Sequence, residues 1–170
     1  MSSTRKLFFS LWPDDRQRDR LRDVISPAVR LIDGKAVPRG NWHITLLYVG
    51  EFPESALTGL LQRSQEIQFE PFRTRLDRIE FWPRAKAACL VPTSMPSELA
   101  RINQQLKNLL RDAGFLMEEQ RFRPHLTICR NTRPFETQRL AQAAITEWSR
   151  FELMESVSSR GQVSYIPLKQ

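Results

Sequence analysis

The chain has 170 residues, 41% hydrophobic and 26% charged, proportions ordinary for a globular protein and large enough for one domain. Its formal net charge is +7, and 21 of the 26 basic residues are arginine, a balance that suits a polyanionic partner such as RNA. No apolar run approaches the ~20 residues of a membrane span, and Leu7-Phe8-Phe9-Ser10-Leu11 is too short for a signal peptide, so a cytoplasmic protein is expected.

Residues 5–11 read as a buried strand. Asp14 then opens a helix as its N-cap, with Leu21, Val24, Ile25, Ala28, Leu31 and Ile32 as the apolar stripe. Pro27 is expected to kink or shorten that helix and Gly34 ends the unit. The charges at Arg16, Arg18, Arg20 and Arg22 read as a solvated face, and a preference for arginine over lysine can come from genome base composition, so charge alone identifies no partner. A strand over 42–49 stops at Gly50, and 54–67 form an amphipathic helix. Strands at 72–82 and 87–92, separated by Pro83-Arg84-Ala85, read as an antiparallel pair. Ser94 caps a third helix with Pro96 in its first turn and Leu99, Ile102, Leu106, Leu109, Leu110 and Ala113 as its stripe before Gly114. A strand follows over 122–130, an ambiguous stretch over 136–147 reads as a short helix, and strands at 149–157 and 162–168 close the chain about Gly161.

That order suggests two similar halves within one domain spanning 1–170. The expected fold is α+β and bilobal, with two pseudo-symmetric antiparallel sheets, helices on the outside and a cleft between the lobes.

The chain has two histidines, and both stand in one context: His43-Ile44-Thr45-Leu46 and His125-Leu126-Thr127-Ile128, 82 residues apart. An apolar-Thr-apolar context follows a histidine by chance roughly one time in a hundred, so meeting it at both is on the order of one in ten thousand. Side chains alternate on a strand, so His43 and Thr45 share a face, as do His125 and Thr127. A hydrophobic core has no use for that polar face, whose burial would cost desolvation energy.

Two imidazoles across a cleft serve as general acid and general base in one reaction, with an ordinary pKa near 6.5. The threonine hydroxyls donate hydrogen bonds to non-bridging phosphate oxygens. Arg130 lies on the opposite strand parity from His125, but its long side chain could reach an anion from the strand end. The set suits phosphodiester chemistry, whereas acyl transfer lacks a Ser or Cys beside a His-carboxylate pair. Cys89 and Cys129 are expected as buried free thiols, no zinc spacing or phosphate-binding glycine loop occurs, and no metal or cofactor is expected. No segment points to a membrane or to an obligate protein partner.

Paired His-x-Thr-x motifs half a chain apart resemble those of the 2H phosphoesterases. Arg5-Lys6-Leu7-Phe8-Phe9-Ser10-Leu11, Asn41-Trp42-His43-Ile44-Thr45-Leu46, Pro124-His125-Leu126-Thr127-Ile128-Cys129-Arg130 and the Gly161 to Tyr165 ending look like the bacterial RNA 2′,3′-cyclic phosphodiesterase branch, the LigT-like or 2′-5′ RNA ligase family. The resemblance implies opening of a ribose 2′,3′-cyclic phosphate to a 2′-phosphate and a reversible, ATP-independent 2′-5′ joining activity. It further implies His43 as proton donor to the departing 3′-oxygen, His125 as proton acceptor activating water, and Thr45 and Thr127 as phosphate-holding residues. RNA or an oligonucleotide ending in a 2′,3′-cyclic phosphate is then the partner. Two other readings fit the residues. One is a related enzyme acting on small cyclic nucleotides or RNA ends. The other is a non-catalytic RNA-binding protein that stacks bases on Trp12, Trp42 or Trp82.

Overall fold

Apolar runs and helical stripes fold into nine strands and three α-helices among the described residues, 3–169, of the computed structural model; residues 1, 2 and 170 of the expected domain lie outside that description. In chain order these are β1 (Thr4–Leu11), α1 (Asp15–Val29), β2 (Lys35–Ala36), β3 (Ile44–Pro53), α2 (Leu57–Ser64), β4 (Phe72–Trp82), β5 (Ala87–Pro92), α3 (Ser97–Asp112), β6 (Leu126–Arg130), β7 (Gln138–Trp148), β8 (Glu152–Ser159) and β9 (Gln162–Pro167). Mixed helix and strand, with antiparallel pairing between neighbouring strands, make the fold α+β.

The sheet runs β7-β4-β5-β6-β3-β1-β8-β9, with β2 on the free side of β6. It divides into two four-stranded halves, and within them β1-α1-β3 repeats as β5-α3-β6. The expected two sheets are therefore one, joined where β3 meets β6 through a single residue pair, Ile44 with Leu126. Both strands begin at that pair and run away from each other. Each helix crosses over: α1 packs against β6 and β7, and α3 against β3. Ile44, Leu46, Leu126 and Ile128 point into a core shared with Leu21 and Ile25 of α1 and Leu99, Ile102 and Leu106 of α3. The opposite face of the junction is left for polar residues.

Edges that the short overlap leaves unpaired find other partners. The Val37 N–H donates to the Ile128 carbonyl at 2.8 Å beside β2, and the buried Asn103 amide of α3 donates to the Leu46 carbonyl at 2.7 Å.

Several local expectations change. The stretch 136–147 is not a short helix but most of β7. Its Ala- and Gln-rich composition favours helix, yet pairing with β4 and the buried contacts of Thr74 with Thr146 (2.9 Å) and of Trp148 Nε1 with Thr74 Oγ1 (2.9 Å) override propensity. Gly50 does not stop β3. It sits at φ +82° where the pairing with β1 skips Val49, and the strand continues to Pro53. Asp14 caps α1 as expected, accepting from the Gln17 N–H at 2.7 Å while the Gln17 side chain accepts from the Asp14 N–H at 2.8 Å. Ser94 does not cap α3, whose cap position is Pro96 without a side-chain hydrogen bond. Pro27 fits inside the last turn of α1, and Leu31 lies beyond the helix and is exposed. Gly34 is required by space, because a Cβ there would lie 2.6 Å from the Thr132 methyl.

Replacing Asn103 with Ala orphans the buried Leu46 carbonyl. Urea unfolding should show a loss of about 1–3 kcal/mol, the cost of an unsatisfied buried acceptor; an unchanged midpoint and slope would remove Asn103 from this role.

Candidate active site

The register of one residue pair builds the centre. One step either side of Ile44–Leu126, antiparallel pairing sets His43 opposite Thr127 and Thr45 opposite His125. The four side chains occupy the corners of a rectangle on the open face, with the histidines on one diagonal and the threonines on the other. Diagonal positions across such a pair are roughly 7–8 Å apart at the backbone, enough for a phosphate between two inward-reaching rings.

Each imidazole is oriented by the same device. His43 Nδ1 lies 2.7 Å from the Asn41 carbonyl oxygen and His125 Nδ1 lies 2.8 Å from the Arg123 carbonyl oxygen. A carbonyl only accepts, so Nδ1 carries the proton and Nε2 of each neutral ring presents its lone pair. For His43 that Nε2 is 3.1 Å from Thr45 Oγ1.

Their surroundings differ. His43 sits among Phe8 (ring centroids 5.2 Å apart), Trp12 (5.5 Å, 24° between planes) and Tyr165 (5.1 Å), whereas His125 rests on Trp82 alone (4.1 Å). Burial pushes the His43 pKa down to about 4. The Asn41 carbonyl opposes the fall, and the charges of His125, Arg130 and Arg18 deepen it. Burial also lowers the His125 pKa, opposed by the Arg123 carbonyl and reinforced by Arg123 and Arg130.

Behind each histidine stands a tryptophan carrying an arginine. The Arg18 guanidinium lies 5.0 Å from the Trp12 ring and that of Arg123 lies 4.6 Å from the Trp82 ring. The two arginines are anchored differently. Arg123 pairs with Glu80 at 3.0 Å, and the Trp82 N–H donates to the same carboxylate at 3.2 Å. Arg18 is 6% exposed and donates to the carbonyls of Arg39 (2.6 Å) and Trp42 (3.2 Å), the turn leading directly into His43. The expected solvated face of α1 is thus wrong at Arg18. It points inward because the loop before β3 offers carbonyls that need a donor, and helical periodicity cannot show this. Burial lowers its pKa, with Asp15 opposing. Trp42 is also core, 5% exposed with its N–H on the Val37 carbonyl at 3.2 Å, and offers no base platform. The aromatic contacts of His43 and His125 had no signal in the motif, since Phe8 and Trp12, Trp82, and Tyr165 come from three other segments.

Arg130 reaches the site by a defect in β6. Cys89 pairs with Thr127 while Ala88 pairs with Cys129, so Ile128 is an extra residue. Ile128 and Cys129 are both buried in succession, and the lost alternation returns Arg130 to the face of Thr127. The parity expected from a regular strand does not hold. Two rooms open from the centre. One of about 460 Å³ is lined by His43, Thr127, Arg130, Asn41, Lys35 and Tyr165. The other, of about 620 Å³, is lined by Thr45 and His125 together with Trp82 and the segment 116–123. Cys89 and Cys129 are free and buried, and Cys89 Sγ lies 3.8 Å from Thr127 Oγ1, with burial pushing its pKa up to about 11. Such a thiol packs against Thr127 and supplies no nucleophile. No group of three or more His, Cys, Asp or Glu side chains able to hold a metal ion occurs among the described residues, and no helix is long and apolar enough to cross a membrane.

A bilobal antiparallel sheet with paired His-x-Thr strands at its junction defines a 2H phosphoesterase. Comparison with known proteins agrees. The family model of the 2′-5′ RNA ligase superfamily matches residues 13–156, and the chain belongs to that superfamily. A protein of Escherichia coli called RNA 2′,3′-cyclic phosphodiesterase is 25% identical over 180 aligned positions, covering 100% of this chain and 97% of its own. One of that name from Aeropyrum pernix is 34% identical over 114 residues, 65% of this chain and 64% of its own length. The crystal structure of E. coli LigT complexed with 3′-AMP superposes with a TM-score of 0.87 at 23% identity, covering 98% and 97% of the two chains, which speaks to the fold.

With two histidines in the chain, a ring-proton NMR titration resolves each. Both should be neutral at pH 7, with His43 titrating near 4. Arg18→Met removes a neighbouring positive charge and should move that midpoint upward while leaving His125 in place. A His43 that titrates near 6.5 in the unaltered protein would overturn the burial account.

Proposed function

We propose that this chain opens a ribose 2′,3′-cyclic phosphate at an RNA end to a 2′-phosphate, with His43 as proton donor to the departing 3′-oxygen and His125 as the base that activates water. One observation carries the reading: the junction register sets two imidazoles with unprotonated Nε2 atoms on one diagonal and two hydroxyls on the other. Displacement at phosphorus runs in line, with attacking and leaving oxygens on opposite sides. Rings at opposite corners meet both, Thr45 and Thr127 hold the non-bridging oxygens between them, and Arg130 answers the remaining negative charge. The name carried by relatives in E. coli and A. pernix, RNA 2′,3′-cyclic phosphodiesterase, supports the substrate class, and the net charge of +7 suits RNA. The substrate's own strained ring drives the reaction, and if an RNA 5′-hydroxyl replaces water, the same steps form a 2′-5′ bond without ATP.

The proton count follows from the site. The acid must be charged when the base is neutral, yet in the ligand-free protein both pKa values are lowered and His43 lies near 4. The acid's proton therefore arrives with the substrate: the phosphate anion between the rings favours imidazolium and raises both values.

Rate against pH should be bell-shaped. kcat/KM, which reports the free protein, should peak below pH 6.5, and the bell for kcat should sit at higher pH because the bound anion lifts the pair. The limbs belong to the coupled pair. Coincident bells for the two parameters would contradict this account.

His43→Ala and His125→Ala should each lower turnover at least ~10²-fold. Thr45→Ala and Thr127→Ala should cost about 1.5–3 kcal/mol, one hydrogen bond to a charged group. The deciding assay incubates the protein, with EDTA present, with an oligoribonucleotide ending in a 2′,3′-cyclic phosphate and identifies the product. A 2′-phosphate is expected. A 3′-phosphate, or activity that needs an added divalent ion, refutes the mechanism.

A further inference from the structure

His125 stands at the end of a stretch without regular structure, residues 115–125, and β6 starts one residue later. The carbonyl that fixes its ring, that of Arg123 at 2.8 Å, therefore belongs to an irregular segment. The ring against its face, Trp82 at 4.1 Å, is the last residue of β4. One carboxylate reaches both supports. Glu80 Oε2 accepts from the Arg123 guanidinium at 3.0 Å and from the Trp82 N–H at 3.2 Å, while Oε1 lies 3.5 Å from Arg78 Nη2. Glu80 pairs with Cys89 and Cys89 with Thr127, a rung that sets its side chain on the face of the site. An ion pair at a surface adds little to stability, yet here three donors converge on one carboxylate that is 17% exposed. On the His43 side the matching arginine, Arg18, ends on the carbonyls of Arg39 and Trp42 instead.

We propose that Glu80 is the positioning residue of His125, holding the Arg123 carbonyl behind Nδ1 and the Trp82 ring against the imidazole face at the same time. It acts through these two neighbours and moves no proton itself. Arg123 closes the set, because its guanidinium lies 4.6 Å from the Trp82 ring while its backbone carries the carbonyl. Releasing the carboxylate end loosens both supports together, and the bond from Arg123 to Glu80 is what ties this irregular segment to β4. On the role proposed above for His125, Nε2 must stay aimed at the incoming oxygen, and a misplacement of about 1 Å costs up to ~100-fold in rate. The groups that hold the phosphate in that reading, Thr45, Thr127 and Arg130, are carried by β3 and β6. Loss of Glu80 should therefore act on turnover and spare substrate binding.

The test uses the whole protein with Glu80→Ala, Glu80→Gln and, as a control, Glu147→Gln, which removes the 3.0 Å pair of Arg73 with Glu147 further along β4. Hydrolysis of cytidine 2′,3′-cyclic phosphate reads kcat and KM, and NMR without substrate follows the ring protons of the two histidines. Glu80→Ala should lower kcat about 10- to 100-fold and leave KM within about threefold. Glu80→Gln, which keeps one acceptor oxygen, should fall between, and Glu147→Gln should match the unaltered protein. The His125 ring signals should move in both Glu80 variants as Trp82 shifts, while those of His43 stay in place, a split that a general loss of structure does not produce. An unchanged kcat in Glu80→Ala, unmoved His125 signals, or signals of both histidines moving together in both variants overturns the positioning role and leaves the phosphodiesterase reading intact. If the unaltered protein does not hydrolyse the cyclic phosphate, that reading falls, and the NMR comparison still decides on Glu80: selective movement of His125 upholds its role and unmoved signals overturn it.

Discussion

The pairing of Ile44 with Leu126 is the contact on which the rest of the site depends. Each strand begins there, so the polar residue one position before it and the polar residue one position after it are brought within reach of their counterparts on the other strand. Antiparallel symmetry then does something a parallel junction could not: it interchanges the roles of first and third residue, so that each histidine meets a threonine and the histidines fall on a diagonal. The even-numbered residues of the same segments anchor the junction in a core to which both crossover helices contribute. Because α1 covers strands of the second half and α3 a strand of the first, separating the halves would expose both helix faces.

A single pair is a thin join for two half-sheets, and its brevity is what leaves a cleft. A longer overlap would have satisfied the backbone with strand partners. Instead the groups left over take separate partners, β2 on the side of β6 and Asn103 on the side of β3. The backbone demand that buried polar groups be paired is thereby met without filling the space between the lobes.

The pseudo-symmetry breaks at the level of electrostatics. Both rings have a carbonyl behind Nδ1 and an arginine-capped tryptophan against the face. Yet one arginine is neutralised by Glu80 at the surface and the other is buried on two carbonyls, and one ring has three aromatic neighbours where the other has one. Identical side chains in matching backbone positions are thus held in unlike surroundings. Burial lowers the pKa of both rings in the ligand-free protein.

Much of this could be read along the chain. The duplicated His-x-Thr pattern determined which four side chains share a face, because strand periodicity is a local property of φ and ψ, and the Asp14 cap and the stripe of α3 were equally local. Pairing was not. The helix-favouring composition of β7 yields to β4, the inward turn of Arg18 depends on carbonyls 21 and 24 residues away, and the extra residue Ile128 that swings Arg130 into the cleft shows only in the register with β5. The aromatic surroundings that separate the two histidines also come from distant segments. By itself the sequence determined the chemistry available, since side-chain type and alternation are written residue by residue. Tertiary structure alone decided the protonation of those groups and the space beside them, since burial and charge at a point are set by every segment that packs there.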